Sequence, residues 1–467
     1  MKKNIVLSYV AGISDVDHSE SYQQIIRYFI PEYIAALVLY SVLYLFDAYL
    51  VADLKSTAMY ATLGVTNTLV HFIVKVAEGL SVSTIVLVGR ANGAGNHKAV
   101  GRIMRDSFWI TVIIGTFIAG VLYSRADLIY RWYGVPEEMI ALGIPFLRLR
   151  AVGIFFTFIY FALISFLRGI KNTRAPMIMY MIGAVFFVAI DWVLIKGKCG
   201  FAPQGLQGSA WASVIQYGVM FICCLIYVLR SSEHKKYKIS LFGAIQDGAY
   251  MKQLLYMSLP VVIDKATLAG AYLWLGKVIA PMGTYALATF VVLRDLERVA
   301  ILPAVACAQV ATFMVSNDMA TGNWLGIKAN IKKIILVASI LVMSTLIFFT
   351  TYAEHVIRFF DRNGDFTPLA ARVIPFLSIL ILCDLLQLIL SGGLRGAAQV
   401  HKVMMTRLIV CLCYFVPVSY FFSQIPFSDT GIKFIIVYGS FFIGNLLMSI
   451  AYTTYFRGTS WQKNDHS

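Results

Sequence analysis

Asp47 stands between "YLF" and "AYL", and Asp191 stands in "AIDWVLI", each well inside an apolar run. Two carboxylates brought together from facing helices make a site for a proton or a cation, because like charges at close range resist being ionised together. A second pair of acids is spaced differently. Asp264 follows Pro260 by four residues and adjoins Lys265, while Asp384 is followed by Gln387 and then by Arg395. A third set recurs at steps of four, four and three: Asn67, His71, Lys75 and Glu78 share one face of a helix. An ionisable group at bilayer depth costs roughly 2.5–3.5 kcal/mol on insertion scales, so each of these is expected to face a cavity or a partner.

The elements that must position these groups are membrane helices. Of 467 residues, 59% are hydrophobic and 13% charged, and the mean hydropathy is +0.75, outside the range of soluble domains. A spanning helix needs about 20 mainly apolar residues. Twelve such runs are predicted near 25–51, 57–84, 103–124, 139–165, 175–196, 205–229, 252–280, 283–312, 333–353, 368–392, 402–424 and 431–456. None alternates in polarity over short segments, as strands of a membrane barrel would. The expected fold is therefore all-α and polytopic.

Lysine and arginine set the orientation. They collect after run 2 (Arg90, Lys98, Arg102, Arg105), run 4 (Arg168, Lys171, Arg174) and run 6 (Arg230, Lys235, Lys236, Lys238). The loops after runs 8 and 10 agree through Lys328, Lys332, Lys333, Lys402 and Arg407; the loop after run 9 mixes signs, with Glu354, Arg358, Asp361, Arg362 and Asp365. This places the even-numbered loops and both termini in the cytoplasm, on a protein of the plasma membrane. It also accounts for the net charge of +15 without nucleic acid. The first 24 residues are too polar for a secretory signal and read as a short tail. The seven cysteines, mostly inside apolar runs, show no metal-ligand spacing and are expected to be small buried residues. Trp132, Tyr133, Trp192 and Trp324 at run ends read as interface anchors.

The chain repeats itself. "LRG" closes at Gly169 and again at Gly396, and "GN" stands at 95–96 and again at 322–323, both 227 residues apart (396 − 169 and 322 − 95). "IPFL" recurs at 144–147 and 374–377, and Pro31 faces Pro260, at offsets of 230 and 229. Several motifs in one order at nearly one offset indicate two homologous halves. Six runs per half is even, so a pseudo-two-fold axis along the membrane normal is expected. The division reads as a tail (1–24), a six-helix lobe (25–230), a linker (231–251), a second six-helix lobe (252–456) and a tail (457–467). The repeat carries Asn67 onto Arg294 and His71 onto Arg298, with Asp295 and Glu297 alongside. These stripes, with Gln387, are the candidates for substrate contact or for ion pairs that gate the protein. Arg168 and Arg395 end helices, where a cation complements the dipole and glycine lets the chain turn.

With its Pro-started first span (Pro31), "GAGN" at 93–96, "LRG" at 167–169, Asp191 late in span 5 and "GLQGSAWAS" at 205–213, the chain resembles the multidrug and toxic compound extrusion (MATE) family. The resemblance runs from about residue 25 to 455. It implies two lobes around a central cavity and export of organic solutes against inward H⁺ or Na⁺. It also implies a coupling site in the first lobe, with Asp47 and Asp191 as its acids and Ser213 or Ser209 as its hydroxyl. The family's asparagine four before the span-5 acid is Phe187 here, which weakens the case for Na⁺ more than that for H⁺. In the second lobe the resemblance points to Asp384, and to Asp264 on a less regular register.

The expected function is a secondary antiporter of amphiphilic organic compounds, with H⁺ or Na⁺ as coupling ion and no other cofactor. No phosphate-binding loop with its lysine is present to use ATP, and no catalytic arrangement indicates an enzyme. The partners expected are a small organic solute and membrane lipids, and a monomer suffices. Lys75, Arg294 and Arg298 would suit a solute with an acidic group. The alternative is a flippase or exporter of lipid-linked or anionic precursors.

Overall fold

The computed structural model describes residues 12–15, 17–242, 249–360, 364, 366–459 and 461–462. Among them, every regular element is helical. The first span is α1 (Tyr22–Leu37), a π-turn (Val38–Val42) and α2 (Leu43–Ala52) in line. It is followed by α3 (Thr57–Gly93), α4 (His97–Ser124), α5 (Ala126–Tyr133), α6 (Glu137–Gly169), α7 (Arg174–Lys196) and α8 (Leu206–Arg230). The second set is α9 (Ala249–Ile279), α10 (Thr284–Thr321), α11 (Trp324–Thr351), α12 (Ala353–Phe360) and α13 (Thr367–Gly396). It ends with α14 (Val400–Ile409), a π-turn (Val410–Phe415), α15 (Val416–Gln424) and α16 (Thr430–Arg457). Among the described residues eleven helices are long and apolar enough to cross a membrane, and the α1–π–α2 run is the twelfth expected span. Phe117, Leu273 and Ile379, each 70% or more exposed, would be liabilities in water and are at home where lipid is the solvent.

The sequence repeat is a repeat of structure. The short amphipathic helices α5 and α12 start 227 residues apart, as do α4 and α11. Asn96 accepts from Ala99 N at 3.1 Å and Asn323 from Gly326 N at 2.9 Å, each capping the helix that follows. Gly95 and Gly322 before them have φ of +70° and +69°, which only glycine adopts without strain. The "GN" motif is thus a left-handed turn plus an N-cap, written twice. The glycine of each "LRG" serves close packing: a Cβ on Gly169 would meet Val88 at 2.5 Å, and one on Gly396 the Thr312 carbonyl oxygen at 2.5 Å.

The chain divides into two compact units, Ile30–Val262 and Met1–Phe29 with Ile263–Ser467. Both divisions fall inside helices, next to the equivalent prolines Pro31 and Pro260, rather than at 24/25 and in the 231–251 stretch. The reason lies in packing at the chain's connections. In the second unit Lys333, 2% exposed, donates to Asp15 O (2.6 Å), Ser19 Oγ (2.8 Å) and Glu20 O (2.9 Å), while Asn330 and Asn323 bind Glu20 N and His18 O. The expected tail is therefore anchored from residue 15 onward.

In the first unit the start of the expected linker forms a 3₁₀ turn (Ser232–Tyr237) that buries His234 and Tyr237. Tyr237 donates to Asn92 Oδ1 at 2.9 Å, and Trp109 Nε1 donates to Leu241 O at 2.7 Å. Residues 243–248, Asp361, Arg362, Asp365 and the tail from 463 lie outside the described residues. Trp324, expected as an anchor, instead packs edge-on to buried Trp461 at 5.6 Å. Of the cysteines only Cys224 and Cys307 are buried, and Cys199 and Cys413 are exposed.

Candidate functional site

In the first lobe, Asp47 on α2 and Asp191 on α7 are brought together, with 5% and 0% of their surface exposed. Among the described residues, neither oxygen of Asp191 has a hydrogen-bond partner, nor has Oδ1 of Asp47. Ser209 on α8 lies beside Asp47 but outside hydrogen-bond geometry. The other expected hydroxyl, Ser213, is taken by a residue sequence reasoning passed over. Arg150, reaching from α6, donates through Nη1 to Ser213 Oγ and through Nη2 to Asn67 Oδ1 at 3.0 Å. It lies within electrostatic range of both carboxylates. An arginine inside an apolar run, as in "LRLRAVG", was the signal that marked it.

Asn67 therefore belongs to this acid cluster. Farther along the same helix, Lys75 and Glu78 pair with each other at 2.8 Å, and His71 is exposed. Near the "LRG" end of the lobe, Arg168 does more than complement a dipole. Its Nε and Nη2 grip Glu32 at 2.8 and 2.7 Å, and both residues are buried. Glu32, directly after Pro31, was unread in the sequence.

The second lobe carries a longer network. Asp264 on α9, 1% exposed, is held by Arg395 of α13 at 2.6 Å and Arg407 of α14 at 2.5 Å, one arginine on each oxygen. With the Gln387 amide turned to match its neighbours, its oxygen accepts from Arg407 Nη2 (2.6 Å) and its nitrogen donates to Asp384 at 3.3 Å. Asp384 also accepts from Asn445 of α16 at 3.0 Å. Arg407, assigned to a loop from the sequence, is a buried helix residue at the centre of this chain of contacts.

Glu297 of α10 was expected alongside the stripe of Arg294 and Arg298, as an ion-pair partner of a stripe cation. It is 3% exposed and points into its own lobe, where Tyr272 and Tyr438 donate to its two oxygens at 2.7 and 2.5 Å. The physical reason is helical phase: 297 stands four after Leu293 and three before Ala300, on the buried face they share, about 100° round from 298 and about 60° from 294. A cavity of ≈ 20 Å³, room for about one water, is lined by Glu297, Tyr438, Leu293, Phe349 and Ser378. Asp295 and Arg298 pair loosely at 3.9 Å and are half-exposed, and Arg294 lies over the Phe290 ring at 5.9 Å.

Two sets of six helical spans, with ionic groups gathered inside each, define an integral, multi-pass membrane protein built on a duplicated helical lobe. The sequence model of the MatE family matches residues 33–193 and 260–421, one match in each half and well over half of the chain together. The chain belongs to that family. It is 22% identical over 326 residues to the multidrug resistance protein MdtK of Yersinia enterocolitica, covering 70% of this chain and 71% of that one. A solved MATE in the straight conformation superposes with a TM-score of 0.85 at 19% identity, over 96% of this chain and 97% of its own. A MOP superfamily transporter from Pyrococcus furiosus, described as having a binding pocket of reversed polarity, matches with the same TM-score and identity over 97% and 99%.

Proposed function

We propose that the protein exports amphiphilic organic solutes from the cytoplasm across the plasma membrane, by alternating access of its two lobes and in exchange for an inward cation. The observation that carries this reading is the Asp47–Asp191 pair, two buried carboxyls of which Asp191 has no donor among the described residues. A charge in that position is costly at membrane depth. A proton that neutralises the pair in one conformation and leaves it in a hydrated one links ion flow to conformational change. No ATP and no catalytic chemistry are needed. Membership of a family with a relative called a multidrug resistance protein supports export of organic compounds. The positive-inside pattern supports cytoplasmic termini.

The test is transport of a fluorescent organic cation by proteoliposomes under an imposed pH gradient. Asp47→Asn and Asp191→Asn are expected to abolish gradient-driven movement while leaving the protein folded. Undiminished proton-driven export by Asp191→Asn would sink the reading.

A second reading concerns the solute's charge. Arg298 is half-exposed and only loosely paired, and Arg294 lies on an aromatic face, groups that suit an acidic amphiphile or a lipid-linked anion. The related transporter described by its reversed pocket polarity gives this some support. Replacing both arginines with glutamine separates the readings, since export of an anionic probe should fall while that of a cationic probe persists.

A further inference from the structure

A small hard cation held by two carboxylates needs several more oxygens around it, whereas a proton needs a single lone pair. The side chains of this cluster that offer such oxygens are Ser209, a single hydroxyl with no partner among the described residues, and Asn67 and Ser213. Asn67 and Ser213 are already engaged. Arg150 donates one guanidinium nitrogen to each, and the same group lies over the Phe146 ring at 5.9 Å, which fixes its plane. One helical turn before Asp191, on the same face of the helix, stands Phe187, which offers no oxygen. Its ring is buried with Leu43 and Ala212. The other titratable groups within electrostatic range of Arg150 are Tyr130, bonded to Thr66, and Tyr217.

We propose that Arg150 is the resident cation of this site, a tethered guanidinium that occupies the oxygens a sodium ion would use and so makes the first lobe proton-selective. A guanidinium stays charged at any working pH, so it cannot be titrated away as a lysine can. Two carboxylates and one guanidinium leave one negative charge, which a single proton neutralises. Sodium would instead have to displace the arginine from Asn67 and Ser213 and bear its repulsion at short range. The inference rests on the reading of Asp47 and Asp191 as the coupling pair, but its test does not depend on transport.

The measurement is equilibrium binding of radioactive sodium to the full-length protein in detergent, for wild type, Arg150→Met, Arg150→Gln and Arg150→Lys. Wild type and Arg150→Lys should bind no more than the denatured control. Arg150→Met and Arg150→Gln should bind sodium saturably, with affinity raised about tenfold or more, in competition with protons. Adding Asp191→Asn should remove that binding. In proteoliposomes the Arg150→Met protein should respond to an imposed sodium gradient that wild type ignores.

Saturable sodium binding by wild type at this pair would overturn the proposal. So would a folded Arg150→Met or Arg150→Gln protein, matched to wild type in elution and melting, that binds none. Should Asp191→Asn in the otherwise native chain leave proton-driven export intact, the functional reading fails by itself. Sodium binding by the Arg150 variants still decides what the arginine does.

Discussion

Arg168 closes on both oxygens of Glu32 at 2.8 and 2.7 Å, and the residue 227 positions on, Arg395, closes on Asp264 at 2.6 Å. The acids come from the opening spans of the two halves, Glu32 one residue after Pro31 and Asp264 four after Pro260. The difference of three residues is about one helical turn, so each acid reaches the arginine of its own lobe from a similar side. The duplicated Leu-Arg-Gly is therefore one half of a duplicated ion pair. Its other half escaped the repeat because the acid changed both its type and its turn.

Removing one partner of a buried pair costs more than removing both. Arg168→Met should leave a bare Glu32 carboxylate and destabilise the first lobe by about 3–5 kcal/mol. Arg168→Met combined with Glu32→Leu should recover most of that. Thermal melting in detergent, run as a double-mutant cycle, reads the difference. Equal melting of the single and double variants would remove the structural role assigned to the pair.

The two motif glycines should not respond alike to a methyl group. At Gly169 the new Cβ meets Val88 Cγ1, which can rotate, at 2.5 Å and Val88 Cβ, which cannot, at 2.8 Å, with the nearest backbone oxygen, that of Ile85, at 3.3 Å. At Gly396 it meets the Thr312 backbone oxygen at 2.5 Å, and a backbone cannot rotate out of the way as a side chain can. Gly396→Ala should therefore cost more than Gly169→Ala, by about 1–3 kcal/mol of overpacking. Comparative melting of the two variants checks the order.

Membrane spans and duplication were legible in the sequence because they depend on patterns that lipid and repetition impose directly. Run length selects helices, and a shared offset survives wherever glycine or an N-cap is indispensable, as at Gly95-Asn96 and Gly322-Asn323. Partner choice was much less legible. Glu297 was read alongside the Arg294 stripe as a partner for its cations, yet it bonds Tyr272 and Tyr438, residues 25 and 141 positions away. Arg407 read as a loop charge because positive residues near span ends usually are, and Arg150 was passed over within an otherwise apolar run. Such pairings are set by packing across helices, which no short window of sequence contains.

His234 gives a pH prediction outside the spans. Its ring is buried in the 3₁₀ turn, edge-on to Tyr227 at 5.2 Å and Phe166 at 5.6 Å, with Nδ1 3.2 Å from Val228 O. Burial is the main cause that holds its pKa below the ordinary 6.5, against a smaller upward pull from the Val228 carbonyl and Glu233. The docked turn thus favours the neutral ring. The stability it contributes is present above pH 6.5 and is lost as pH falls through the lower folded value. Protection factors of residues 231–242, that is exchange corrected for the intrinsic base-catalysed rate, should fall on acidification, and His234→Phe should flatten that dependence. Protection that rises on acidification would reverse the sign and refute the account.

The tyrosines on Glu297 separate a structural carboxylate from a working one. Each donates to a different oxygen, and a hydrogen bond to a charged group is worth about 1.5–3 kcal/mol. Tyr438→Phe and Tyr272→Phe each leave one oxygen without its donor beside a cavity of ≈ 20 Å³, large enough for about one replacement water. If Glu297 only holds α9, α10 and α16 together, both variants should lower the melting temperature and Glu297→Gln should behave like them, with export per folded molecule unchanged. If it takes part in the transport cycle, Glu297→Gln should cut gradient-driven export at least about tenfold while melting near wild type, since the amide oxygen still accepts from one tyrosine and the amide nitrogen can donate to the hydroxyl oxygen of the other. The network around it, in which Asp384 is bound by Asn445 and Gln387 and the Glu297 carboxylate lies within electrostatic range of Asp384, favours the second outcome. Initial export rates normalised to folded protein, measured beside melting curves for the three variants, decide between them.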